Sequence, residues 1–346
     1  MNEHQTLQFE QRKRDHIQLS LDLSHQTVGL NGLNKIHLFH EALPEINYSE
    51  VSISQNLFKE SLPTPFLVSS MTAGHSQASE LNSLLALACQ RRGWLMGVGS
   101  QRRQLTELAA EREWKAVRKI APKAKLLGNI GLAELIRVPV DQVQKLVESL
   151  DAFAMMVHTN PLQEAIQPEG NPDFKGGLRA IEQIVKVLEV PVVVKETGCG
   201  FSEKTLGRLQ DVGVAAVDVS GLGGTHWGRI EGSRCLEGSP AKEVSKTFSN
   251  WGESTFDSLV AGRKWDALSL WASGGIRSGL DAAKTLALGA DIVGFAQPIL
   301  EAVLKGEDEL DLKMQQMEQE LTTALFCTGS ARIAEIREEE KWQIKE

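Results

Sequence analysis

The sequence predicts an α/β fold, a TIM (β/α)8 barrel with an N-terminal extension and a C-terminal helix. Three observations carry that prediction. Eight short apolar runs recur along the chain, each followed by a polar or glycine-rich loop and then by a helical pattern. The runs are continuous and often β-branched, which suits parallel strands buried on both faces. Residues 64–304 hold all eight and approach the ~250 positions typical of such a barrel. An open doubly wound sheet uses the same alternating units, so the count of eight decides for closure.

Residues 1–63 form the extension, mixed in charge and punctuated at its end by Pro63 and Pro65. The strand runs follow at 66–70, 95–98, 126–130, 152–157, 191–195, 214–219, 268–272 and 291–296. Between them lie helical faces. Leu81, Leu84, Leu85 and Ala88 repeat at helical spacing, and so do Leu178, Ile181, Val185 and Leu188. Such faces cover a sheet, and strand–helix alternation implies right-handed crossovers. Residues 305–346 carry one more stripe, Leu310, Met314, Met317, Leu321 and Leu325, expected to pack on the barrel or on a neighbouring subunit.

Composition narrows the function. Hydrophobic residues make up 42% and charged residues 24%, the balance of a soluble globular protein. A net charge of −8 argues against nucleic-acid and anionic-membrane partners, though not against a local basic pocket. Cys89, Cys199, Cys235 and Cys327 stand far apart without a C-x-x-C, so a disulfide framework or zinc site is not expected. No run reaches the ~20 apolar residues of a spanning helix, and the polar N-terminus does not read as a secretory signal. A cytoplasmic protein with reduced thiols is expected.

In a barrel the chemistry lies where the strands end. The loops there carry Ser69-Ser70-Met71-Thr72, Ser100-Gln101-Arg102, Asn129, and His158-Thr159-Asn160-Pro161-Leu162-Gln163-Glu164. Further on come Lys195, then Ser220 to Thr225, then Ser273-Gly274-Gly275-Ile276-Arg277, and finally Ala296-Gln297. The glycines and helix starts after the last two strands suit an anion, because backbone N–H groups converge there. Lys195 at the end of a buried strand needs an anionic partner. It reads as a cation beside a bound ring that gathers negative charge, as an ion pair with Glu196, Asp218 or another inward carboxylate, or as a Schiff-base lysine. Glu164 is a candidate support for Mg²⁺, which takes one or two carboxylates. Arg12-Lys13-Arg14-Asp15-His16 reads either as a solvated face or as a diphosphate clamp folded over the barrel mouth. His37 and His40, at i and i+3 without a third ligand, read as surface.

Taken together, these motifs resemble one family, the type 2 isopentenyl-diphosphate Δ-isomerases, FMN-dependent TIM-barrel enzymes. The likeness runs from about residue 12 to 300. It rests on Arg12-Lys13-x-x-His16, SSMTAG at 69–74, GVGSQR at 97–102 and HTNPLQE at 158–164. It continues through VVVKETGCGFS at 192–202, VDVSGLGGTHWGRIE at 217–231, WG at 251–252 and ASGGIRSGLDAAKTLALGAD at 272–291. Two departures stand out. Ala73 replaces a second glycine, and Asn171 replaces an aspartate; neither is expected to touch the residues given roles.

The resemblance implies FMN contacts at Ser70, Met71, Thr72, Ser100, Asn129, Lys195, Ser220, Thr225, Gly275, Ile276, Arg277, Ala296 and Gln297. It implies substrate contacts at Arg12, Lys13, Ser100, Gln101, Arg102, His158, Asn160 and Gln163, with Glu164 as the Mg²⁺ ligand and Trp227 beside the flavin. Gln163, Lys195 and His158 form the expected catalytic set. The implied reaction interconverts isopentenyl and dimethylallyl diphosphate without net redox, with reduced FMN as acid and base and NADPH as reductant. A homo-oligomer, tetramer or octamer, is implied as well. The runner-up is an FMN barrel oxidase acting on α-hydroxy acids, which needs a histidine beside an arginine after a late strand. The third reading is a catalytically silent barrel that serves as a binding or scaffold protein.

Overall fold

The structure, a computed structural model, describes residues 12, 15–71 and 78–345, except the side chains of 108 and 109. Lys13 and Arg14, and with them Thr72, Ala73 and His75, therefore lie outside the described residues. All eight runs form strands: β1 (Phe66–Val68), β2 (Leu95–Gly97), β3 (Lys125–Gly131), β4 (Ala154–Thr159), β5 (Val192–Glu196), β6 (Ala216–Asp218), β7 (Ser269–Ala272) and β8 (Ile292–Phe295). Each pairs in parallel with its sequence neighbours, and β8 pairs with β1, so the sheet closes into a barrel.

Side-chain alternation along a strand sorts the buried apolar barrel residues into two clusters. Phe66, Val68, Met96, Val157, Val194, Val217, Leu270 and Phe295 point outward and pack under the helices. Leu67, Leu95, Leu127, Met156, Val193, Ala216, Trp271 and Ile292 point inward and fill the lumen. A hairpin, Gln55–Leu57 with Glu60–Leu62, seals the end where the strands begin. Its Leu57 and Leu62 join the lumen cluster, and the Phe58 ring lies 6.0 Å from those of Phe153 and Trp271. One step further along, the inward positions are polar on six strands and glycine on β2 and β8, at Gly97 and Gly294, and this sets the floor of the site.

The helical stripes fall in helices Ala78–Arg92, Gly177–Val187 and Glu307–Cys327, except that Leu188 stands one residue past the second, as its extended C-cap. The last packs on the barrel helices, with Leu310, Met314, Met317, Leu321 and Leu325 buried. Gly279 makes that approach possible, since a Cβ there would lie 2.2 Å from the Met317 carbonyl oxygen. Two smaller elements tie the extension down. Ile36–Leu38 pairs antiparallel with Trp342–Ile344, joining the two ends of the chain. Residues 25–27 attach to the loop after β6, where Thr27 N–H donates to Gly224 O at 2.8 Å, Gly223 N–H to Thr27 Oγ1 at 2.7 Å and His226 N–H to His25 O at 2.9 Å. Residues 15–21 are helical, and His16, Ile17 and Ser20 on that helix line the barrel mouth.

Candidate active site

The strands' C-terminal ends surround a cavity with about 1770 Å³ of atom-free space, counting its open mouth. Its floor follows from the period-2 rule. Asn129, His158, Lys195 and Asp218 each stand two residues beyond an inward apolar residue, and Ser69 and Ser273 occupy the same level just past β1 and β7. Lys195 Nζ donates to Asp218 Oδ2 at 2.6 Å and to Ser273 Oγ at 2.9 Å. Ser273 Oγ donates in turn to Asp218 Oδ1 at 2.6 Å. Of the partners open to Lys195, Asp218 is the one engaged. Glu196 points to the other face, where burial pushes its carboxyl up to about 7 although the Thr197, Gly198 and Cys199 N–H groups all donate to it.

Beside the floor, His158 Nδ1 meets Asn129 Oδ1 at 2.9 Å. Asn160 Nδ2 donates to Gln163 Oε1 and to Glu164 Oε1, both at 2.9 Å, so one amide orients two expected site residues. Gln163 Nε2 donates to Glu231 Oε1 at 2.9 Å. That same oxygen meets His16 Nε2 at 2.9 Å, while Glu231 Oε2 accepts from Arg234 Nη1 at 2.5 Å. Burial alone would raise the Glu231 pKa, but His16, Arg234 and Gln163 outweigh it and hold the carboxyl below its ordinary value. Arg234 also reaches Glu169, which pairs with Arg12 at 3.4 Å. Alternating charges thus run from the mouth to Gln163. Glu231 closes the VDVSGLGGTHWGRIE motif, but its role is not legible there, because only the fold brings it beside Gln163 and His16.

Arg12, Ser70, Met71, Ser100, Arg102, Asn160, Gln163, Glu164, Ser220, Thr225, Gly275, Ile276, Arg277, Ala296 and Gln297 all line the same cavity, and so does Trp227. Arg102 pairs with Glu134 at 3.0 Å. Gln101 does not line it: its buried amide accepts from Asn129 N–H at 2.9 Å and donates to Leu146 O and Gln104, holding the loop instead. Asn171 meets the expected metal ligand through its backbone, whose N–H donates to Glu164 Oε2 at 2.6 Å. The departure itself lies in the side chain, which accepts from Arg137 instead.

The residues fit FMN. Ser69 Oγ is buried in the cavity floor with no hydrogen-bond partner among the described residues. Gly274 and Gly275 adopt φ of 95° and 74°, and a Cβ on Gly275 would lie 2.3 Å from the Gly223 carbonyl carbon, so the wall after β7 is bare backbone. Arg277 locks that wall to Gly223 O, Gly275 O and Gln26 Oε1. Gln26 was not apparent in the sequence; it also donates to Thr225 Oγ1 at 2.9 Å. No group of three His, Cys, Asp or Glu side chains is placed to hold a metal among the described residues. Glu164 by itself suits Mg²⁺ shared with substrate oxygens and water.

His226 does not supply the base that a hydroxy-acid oxidase needs. It is fully buried and caps helix Trp227–Arg234, its Nδ1 accepting from Arg229 N–H and its Nε2 facing Trp251 O at 3.3 Å.

A family model described as FMN-dependent dehydrogenase matches residues 146–343. Solved structures share the fold at low identity. A flavocytochrome b2 variant with sulfite bound aligns with a TM-score of 0.69 at 19% identity, covering 96% of this chain and 82% of that one. A mandelate oxidase variant with an FMN adduct aligns at 0.62 and 17%, covering 95% and 91%. An isopentenyl-diphosphate delta-isomerase of Bdellovibrio bacteriovorus is 54% identical over 337 residues, 95% of this chain and 96% of that one. One from Legionella pneumophila strain Lens is 49% identical over 332 residues, covering 96% and 97%. With identity at that level over nearly its whole length, the chain belongs to the type 2 isopentenyl-diphosphate delta-isomerases, within the FMN-dependent dehydrogenase family.

Proposed function

We propose that the protein interconverts isopentenyl diphosphate and dimethylallyl diphosphate, with FMN in the cavity and Mg²⁺ on Glu164. The observation that carries this reading is the convergence of one loop, His158 to Glu164, with Lys195 below it and Arg12 and Arg102 above it, around a single cavity. Reduced FMN, once bound, supplies the acid and base that a simple alkene needs, and NADPH serves only to reduce it. Mg²⁺ neutralises the diphosphate without a dedicated cage.

The rest falls to the chain's own side chains. Ser70, Met71, Ser100, Asn129, Ser220, Thr225, Gly275 to Arg277, Ala296 and Gln297 hold the cofactor, and Lys195 places positive charge under it. Arg12 and Arg102 grip the diphosphate by exchanging Glu169 and Glu134 for phosphate oxygens. Gln163 orients the alkene rather than relaying a proton, because both ends of its amide are committed, to Asn160 and to Glu231. Trp227 and the 15–21 helix shut water away from the reacting carbons.

The test is an anaerobic assay with isopentenyl diphosphate, Mg²⁺ and reduced FMN in heavy water. Dimethylallyl diphosphate carrying deuterium is expected, and absence of conversion refutes the reading. Arg12→Ala is expected to raise KM about tenfold, ~1.4 kcal/mol of binding. An unchanged KM would return that segment to a solvated face.

A further inference from the structure

The ion pair in the cavity floor is built more elaborately than packing requires. One layer below, the same three strands fill the lumen with Val193, Ala216 and Trp271, so apolar residues suffice there. Replacing them by a buried charge pair adds little stability, since desolvation offsets the attraction. In the upper layer, among the described residues, all but one of the hydrogen-bonding valences that link the pair are nevertheless assigned. Asp218 accepts at both oxygens, and Ser273 both accepts and donates. Lys195 spends two of its three N–H groups on them and keeps one, and its side chain lines the cavity while that of Asp218 is only 1% exposed behind it. The pair is a fixed dipole with its positive end toward the cavity.

We propose that Asp218, seconded by Ser273, is a positioning residue that holds the Lys195 ammonium aimed at the cavity, so that the protein holds reduced FMN more tightly than oxidised FMN. Reduced flavin carries negative charge at neutral pH, and a fixed cation favours it. Without a counterion a buried lysine loses its proton, because burial disfavours the charged form. The inference rests on the reading that FMN lies over Lys195, and the experiment separates the two.

Flavin-stripped full-length protein is titrated anaerobically with oxidised and with reduced FMN, and the ratio of the two affinities is followed from about pH 6 to 9. The wild-type ratio is expected to favour reduced FMN and to stay level. Asp218→Asn preserves shape and removes charge. It is expected to lower the ratio at least tenfold at the alkaline end, about 30 mV in a two-electron potential, with the loss growing as pH rises. In a Lys195→Met background the same substitution is expected to change the ratio less than twofold, since Asp218 acts only through the lysine. An unchanged ratio in Asp218→Asn, or an equal loss with and without Lys195, overturns the inference. Failure of the wild type to bind either form overturns the FMN reading instead. Should Asp218→Asn not fold, Ser273→Ala carries the test: its ratio is expected to fall below the level wild-type ratio towards pH 9, and a ratio that matches the wild type throughout refutes the proposal.

Discussion

At the scale of single residues, strand parity separates what the sequence left open. Lys195 and Glu196 are adjacent, so one faces the lumen and the other the helices. Parity also makes Asp218, two residues after Ala216, the inward partner, a deduction available from the sequence once β6 is placed. Glu231 stood in a recognised motif, yet its role was beyond reach, because its partners His16 and Gln163 lie 215 and 68 residues away in sequence. Glu231→Gln keeps its shape but loses the charge that binds His16 and Arg234. We expect kcat to fall about 30- to 100-fold, ~2–3 kcal/mol, as for hydrogen bonds to a charged group, and a steady-state assay with FMN saturating checks it. Glu196 gives a pH signature. The folded protein keeps its proton up to about pH 7, whereas the ordinary carboxyl releases it near 4.5. Its contribution to stability is therefore complete below about 4.5 and is lost as pH rises to about 7, an upper bound of ~3 kcal/mol. Urea unfolding across that range is expected to show a shallower decline for Glu196→Gln than for the wild type, and parallel curves would refute this.

Among the elements, the barrel strands were legible because parallel strands buried on both faces must be continuous apolar runs. The C-terminal helix was legible because its stripe survives burial unchanged. What escaped was short and polar: the hairpin that plugs the barrel, the pairing of 36–38 with 342–344, and the attachment of residues 25–27. Each is three residues or fewer per strand and takes its stability from tertiary hydrogen bonds, so no periodicity marks it. The helix Glu307–Cys327 is structural, and Leu321 is fully buried in its seam. Leu321→Ala is expected to cost about 2–5 kcal/mol, transfer plus cavity, read as a lower urea midpoint with little change in KM. A variant as stable as the wild type would show the helix to be dispensable to the barrel.

For the whole molecule, the −8 charge and the absence, among the described residues, of a helix long and apolar enough to cross a membrane agree with the composition. We propose a homo-oligomer, and light scattering is expected to give four or eight times 38.0 kDa; a monomeric mass would refute it. The pairing of the chain's two ends has a consequence for synthesis. β1 and the 36–38 segment leave the ribosome well before their partners, β8 and residues 342–344. A nascent chain therefore carries a barrel seam without its mate, and the segment leading to the mouth lacks its anchor until residues 342–344 have been made. A chain that stops before residue 342 lacks that anchor, so synthesis of this one stretch governs whether the mouth segment is tied to the closed barrel.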